Sequence, residues 1–336
     1  MKKIIWIISL IMILSLTIAG CGNNNEQSQG TGNEKESADK NIKLGIIQIS
    51  EHAALDASRK GFLDVLAENG YKDGENLTVD YHNAQGDQSN LQTIANKFVA
   101  DRVDMVLAIA TPSAIAMAGA TEDIPILITA VTDPVTAKLV DSNEKPGGNV
   151  TGTTDLAPAK DQFELLKKIV PDAKKIGVIY NSSEVNSQVQ VEMVKEAAKD
   201  MDLEIVEATI SNSAEVMQAA QSLVGKVDAI YAPSDNNVAS SMPSVVSVAE
   251  KNQIPFFVSV EDMVDDGALG AMGIDYYELG RMTGAMAIKV INGENTAEMP
   301  IEGLPDFKII INKGAAERMG VTVPQEVLNQ AERIID

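Results

Sequence analysis

Residues 103–108, VDMVLA, and residues 227–232, VDAIYA, are the two stretches from which the fold can be read. Each is a short apolar run opened by Val-Asp, and each leads to a polar exit, Thr111-Pro112-Ser113 or Pro233-Ser234-Asp235-Asn236, that opens a segment rich in Ala, Ser and Val. Working outward, residues 42–49 (IKLGIIQI) match 175–180 (KIGVIY). Their polar loops begin Ser50-Glu51 and Asn181-Ser182-Ser183-Glu184, and helical stretches then end near Asn69-Gly70 and Asp200. Second strands are expected over 77–81 and 203–208, second helices up to Val99 and Val224, and fourth strands from Ile124-Pro125-Ile126 and Ile254-Pro255-Phe256. Paired landmarks keep their spacing: Gly45 to Gly177 is 132, Asp104 to Asp228 is 124 and Pro125 to Pro255 is 130. Register held over four strands predicts an α/β chain with two Rossmann-like lobes, each a parallel sheet covered by helices on both faces.

Residues 1–20 stand apart from this pattern. Lys2 and Lys3 precede an apolar run that ends in Ala19-Gly20-Cys21, the form of a secretory signal peptide whose cleavage leaves Cys21 to carry a lipid. Residues 21–40 hold no large apolar side chain and read as a flexible tether to the outer face of the cell membrane. Cys21 is the only cysteine, so lipidation leaves no thiol for a disulfide, a metal or a nucleophile. The whole chain of 336 residues has a net charge of −21, and loss of Lys2 and Lys3 leaves 25 basic against 48 acidic residues. Such a balance disfavours nucleic acid and adsorption on anionic lipid.

The remaining body is long enough for two cores. Residues 149–154, after Pro146-Gly147-Gly148, are the candidate first crossing between lobes, 268–273 with the amphipathic stretch 276–291 suggest a return, and 307–311 a last strand. The expected division is 41–153 with 274–303 for the first lobe and 154–273 with 304–336 for the second.

Ligands of open parallel sheets bind beyond the carboxyl ends of the strands. Two facing sheets place there Ser50, Glu51, His52, Thr111, Ser113 and Thr129 from one wall, and Asn181, Ser182, Glu184, Asp235, Asn236 and Ser259 from the other. The walls suit a zwitterion: hydroxyls and free amides at the helix opened by Thr111 and Ser113 favour a carboxylate, and Asp235 would accept from an ammonium. Ser113 and Asp235 are equally suited to cap helices. His52 is open to two roles, an exposed helix start or a ring against the ligand; with His82 the only other histidine, a histidine metal site is disfavoured. The chain has no G-x-S-x-G, P-loop, HExxH or dinucleotide fingerprint, which argues against an enzyme and against a cofactor. Trp6, the sole tryptophan, leaves with the signal, and the scarcity of aromatics disfavours a sugar.

Taken together, Glu51-His52, Asp56, residues 110–114 (ATPSA), 129–134 (TAVTDP), 146–152 (PGGNVTG), 176–181 (IGVIYN), Ser234-Asp235-Asn236 and Gly273-Ile274-Asp275-Tyr276 resemble the tryptophan/tyrosine-type ABC transporter substrate-binding family. Ala53 departs from the proline common there. The resemblance implies a type I periplasmic-binding-protein fold with three crossovers and a hinge. It implies an aromatic amino acid as ligand, and an ABC permease with its cytoplasmic ATPase as partners of a monomer. By it, Thr111, Ser113 and Thr129 would hold the carboxylate and Asp235 the amino group; Glu51, His52, Asp56, Asn181, Glu184, Asn186 and Ser187 would shape the side-chain pocket, and Thr132 and Asn236 are further ligand-binding residues. A sensor ectodomain, or a binder of another polar metabolite or sugar, is the alternative.

Overall fold

The structure, a computed structural model, describes residues 41–336. Cys21, the signal segment 1–20 and the tether 21–40 lie outside the described residues. The first sheet takes β1 (Ile42–Gln48), β2 (Leu77–Asn83), β3 (Met105–Ile109), β4 (Ile126–Val131) and β5 (Val150–Thr154), with α1 (Ala53–Glu68), α2 (Gln88–Asp101) and α3 (Thr111–Ala118) between the first four. Through α4 (Ala159–Ile169) the chain enters a second sheet of β6 (Lys175–Asn181), β7 (Glu204–Ile210), β8 (Ala229–Ala232), β9 (Phe256–Val260) and β10 (Gly270–Ile274). Its connections are α5 (Val185–Asp200), α6 (Val216–Leu223), α7 (Asn236–Ala239) with α8 (Met242–Asn252), and α9 (Asp262–Asp265). The segments α10 (Tyr276–Ile291) and β11 (Glu302–Gly303) return to the first sheet. The second sheet receives β12 (Lys308–Asn312) and, after α11 (Lys313–Arg318) and α12 (Gln325–Gln330), β13 (Arg333–Ile335).

The strand orders are β2-β1-β3-β4-β5-β11 and β7-β6-β8-β9-β10-β12-β13. All ladders are parallel except β10 with β12. The central strands β3, β4, β8 and β9 are buried along their length, as strands covered on both faces must be. The duplicated landmarks do duplicated work. A side chain at Gly45 would meet the Phe98 ring of α2 at 2.8 Å, and one at Gly177 the Leu223 side chain of α6 at 2.6 Å. Each glycine thus lets the second helix of its lobe lie close on the first strand. Asp104 accepts from the amide of Lys43, and Asp228 from those of Lys174 and Lys175, fixing the start of the first strand in each lobe.

Three connections join the sheets, at 155–158, at Asp275 and at 304–307. The first differs from the expected crossing at 149–154: Val150–Thr154 is a strand of the first sheet, paired with β4, and the chain crosses after it. Thr151 and Thr153 are β-branched and fully buried, with their hydroxyls on Met299 O and Thr283 Oγ1, so this segment belongs inside the sheet. The strand expected over 307–311 is followed by one more, β13.

Candidate functional site

At the carboxyl ends of the strands lies a cavity with walls from both lobes. One wall carries His52, Ala54, Leu55, Ala130 and Thr132, the other Asn186, Ser234, Asp235, Asn236, Ala239, Val260 and Met263. Asp155 and Tyr276, next to the first two connections, line it as well.

The first wall is shaped by backbone that resists being made. Ala110, at the end of β3, has φ +76° and ψ 154°, and Ala130 in β4 has φ +56°. Residues other than glycine hold such conformations at about 1–3 kcal/mol each, and they gather at binding and active sites. At Ala130 the ladder with β5 loses its register, which turns the end of β4 toward the cavity residue Thr132. No side chain caps the start of α3, and Ala110 cannot, so its first amides have no side-chain acceptor.

Buried polar atoms without a partner concentrate here. Ser50 Oγ lies just beyond β1, Thr111 Oγ1 and Ser113 Oγ beyond β3; His52 Nε2, Asp155 Oδ1 and Asn186 Oδ1 belong to cavity-lining residues. Native proteins pair nearly all such atoms, so a group of them at the strand ends marks a place built to receive a polar molecule. Burial lowers His52 to about 4, against the opposing pull of Asn236 and the Asp56 carboxylate, and the ring is neutral at neutral pH.

The opposite wall is tied up internally. Asp235 caps α7, its Oδ1 accepting from the amides of Asn237 and Val238 at 3.0 Å each, while Oδ2 accepts from the Asn181 amide and Ser187 Oγ at 2.6 Å each. Four donors fill the lone-pair positions of one carboxylate. The capping role open to Asp235 is thus the one its side chain performs, although it borders the cavity. Glu184 accepts from the side-chain amides of Asn181, Asn236 and Asn237. Burial and the neighbouring Asp235 push it up to about 7 against those donors.

Of the residues expected at the site, His52, Thr132, Asn186, Asp235 and Asn236 line the cavity. Thr111, Ser113 and Thr129 are buried at the ends of β3 and β4, and Asn181, Glu184 and Ser187 form the network behind Asp235 and Asn236. Two of the expected residues point elsewhere. Glu51 is exposed, and Asp56 pairs with Arg59 at 3.0 Å and accepts from Gln48, a brace between α1 and β1. Asp155 and the apolar lining, Leu55, Ala239, Val260 and Met263, were not foreseen. An aspartate immediately after the crossing expected at 149–154 was the available signal for the first; the others carry no mark beyond apolarity.

The lobes touch across the cavity. Gln190 of α5 donates to Thr132 Oγ1 at 3.4 Å, and α1 and α3 contact α9 and α5. Among the described residues no group of three or more His, Cys, Asp or Glu could hold a metal, and no helix is long and apolar enough to cross a membrane.

Comparison with known proteins agrees with this geometry. The family described as ABC transporter substrate binding protein matches residues 43–335. The chain belongs to that family. Its members bind a solute for transport, and the two-lobed α/β architecture is the type I periplasmic-binding-protein fold. Among relatives of this substrate-binding protein, a tyrosine-binding protein of Clostridioides difficile (strain R20291) is 48% identical over 312 residues, covering 93% of this chain and 90% of its own. An ABC domain from Streptococcus pneumoniae solved with L-Trp is 40% identical, with a TM-score of 0.85 over 88% of this chain and all of its own. A ligand-free, open structure of a substrate binding protein with adhesive properties from Clostridium difficile is 48% identical over 88% of this chain and 99% of its own, with a TM-score of 0.66. The structure with the more similar sequence superposes less well on this chain than the L-Trp complex does.

Proposed function

We propose that this chain captures an aromatic amino acid between its lobes on the outer face of the cell membrane and delivers it to an ABC permease driven by a cytoplasmic ATPase. It works as a monomer held by a lipid on Cys21, and it binds without turnover. The observation that carries this reading is the set of buried, unpartnered polar atoms at the strand ends. Thr111 and Ser113 hydroxyls beside the uncapped start of α3 suit a carboxylate. Unpaired oxygens of Asp155 and Asn186 suit an ammonium, and Leu55, Val260 and Met263 give a ring an apolar seat. Neutral His52, with Nε2 unpaired, can meet a phenol or an indole N–H. The tyrosine-binding relative and the L-Trp complex support the same ligand class. Closure is a population shift, in which a ligand touching both walls favours the closed form by its additional contacts there.

Calorimetric titration of protein lacking residues 1–20 with the twenty amino acids tests the ligand class. Saturable binding of tyrosine or tryptophan is expected. Trp6 is the only tryptophan, so indole emission from such protein reports bound tryptophan directly. Binding of none of the aromatic amino acids would end this reading. Metabolic labelling with a fatty-acid analogue tests the anchor, with wild type expected to be labelled and C21A not.

A further inference from the structure

Asp155 and Asp235 are the two carboxylates that line the cavity, and they differ in what they have left to offer. Asp235 meets four donors from its own lobe. Asp155 accepts the Tyr276 hydroxyl on Oδ2 at 2.5 Å, while its Oδ1 is buried without a partner. Both residues of this pair are 3% exposed. Burial pushes the Asp155 carboxyl up, with the Tyr276 and Thr132 hydroxyls opposing. A cationic donor is what such an oxygen lacks, since leaving a buried carboxylate partly unpaired is costly.

The position of the pair adds a second observation. Asp155 is the first residue after β5, where the chain leaves the first sheet, and its amide is held on Val131 O at 3.1 Å. Tyr276 is the first residue of α10, where the chain has just come back. Their hydrogen bond, spanning 121 residues of sequence, therefore joins two of the three connections on which the lobes turn. Asn186 Oδ1, from the second lobe, is the other unpaired oxygen of the lining.

We propose that Asp155 Oδ1 receives the ammonium group of the bound amino acid, with Asn186 Oδ1 completing its coordination from the facing lobe. The assignment rests on the amino-acid reading above and makes Asp155 a specificity-determining residue. A ligand with the same ring and carboxylate but no amino group leaves Asp155 as unsatisfied as before, and is rejected. Because Asp155 is bonded to Tyr276, the ligand's positive charge is sensed at the connections themselves, not only on a wall.

The test is titration of wild type and Asp155→Asn with two pairs of probes: L-tryptophan with 3-(indol-3-yl)propionate, and L-tyrosine with 3-(4-hydroxyphenyl)propionate. Wild type is expected to prefer the amino acid of the pair it binds. Asp155→Asn should lose about 30-fold or more in affinity for that amino acid and little for its amino-free analogue, so that the preference collapses. Equal losses for both members of a pair, or an unchanged preference, overturn the assignment while leaving the amino-acid reading intact. Failure of wild type to bind either amino acid removes both. A measurement on wild type guards against a poorly folded variant: the carbon-13 shift of the Asp155 carboxyl should move when the amino acid binds and not when its analogue does. No movement with the amino acid likewise overturns the proposal.

Discussion

Asp235 takes the amides of two residues that follow it and two donors from β6 and α5, so deleting its side chain leaves four donors buried at once. Loss of the cap and of these charge-assisted bonds should lower stability by about 3 kcal/mol or more. Urea unfolding of Asp235→Ala checks this; an unchanged midpoint together with lost amino-acid affinity would return the ammonium to Asp235. His52 leads to a dependence on pH. Its value of about 4 when buried between the walls lies below the ordinary histidine value of about 6.5. Above 6.5 the ring is neutral whether the lobes are apart or together, and closure is unopposed. As pH falls from about 6.5 toward about 4, a protonated ring must lose its proton to be buried, so affinity declines, approaching tenfold per unit. Titrations at pH 7.5, 6 and 5 should show the decline in wild type, and a His52→Gln variant should lack that part of it. At this scale the sequence was informative where one residue's chemistry speaks locally, as at His52, Thr132 and Asn236. Asp155 was hidden because its meaning depends on Tyr276, far along the chain, and on the burial of both.

Packing of α1 on α10 is the most extensive helix contact among the described residues, and glycines make it close. A Cβ on Gly280 would lie 1.9 Å from Ser58 O, and one on Gly61 2.1 Å from Tyr277 O. The chain therefore has backbone against backbone where α10 rejoins the first lobe, and Thr283 on the same helix reaches Thr153 of β5 at 2.8 Å. Neither helix can yield without moving the strands under it. A Gly280→Ala substitution should destabilise by about 1–3 kcal/mol, read as a lowered midpoint in thermal or urea unfolding. A gain in stability, expected from helix propensity alone, would show that the two helices can separate at little cost. The elements themselves were largely legible, because paired strands with equal spacing carry the same jobs, as Gly45 with Gly177 and Asp104 with Asp228 show. What escaped were the pieces without a counterpart. The segment β5 reads as a crossing between lobes because Thr-Gly-Thr-Thr is polar, yet its hydroxyls are satisfied inside the core. The last strand, β13, has only three residues, too few to show any period.

For the whole molecule, the question is what holds the lobes together when each is complete without the other. Few side-chain bonds cross between the walls of the cavity, and one of them is long: Gln190 Nε2 to Thr132 Oγ1 at 3.4 Å. Gln190 is otherwise committed to its own lobe, accepting from the Ser234 amide at 3.0 Å and donating to Ser234 O and Asn186 O. Its two N–H groups are thus held in place by Asn186 O and Ser234 O, and Thr132, at the turned end of β4, takes a share of one only when the lobes are together. A contact made in one state and absent in the other shifts the equilibrium between them by its own worth, and no more. The coupling between these two residues should thus appear in ligand affinity and not in the stability of either lobe. A double-mutant cycle with Gln190→Ala and Thr132→Ala isolates it, since each single change also removes contacts within its own lobe that the cycle cancels. The expected coupling is about 0.5–1 kcal/mol in ligand affinity, a factor of about 2 to 5, with additive effects on the unfolding midpoint. Additive effects on affinity would mean that the bound molecule, touching both walls, is what keeps the lobes closed, and that the protein supplies no latch of its own.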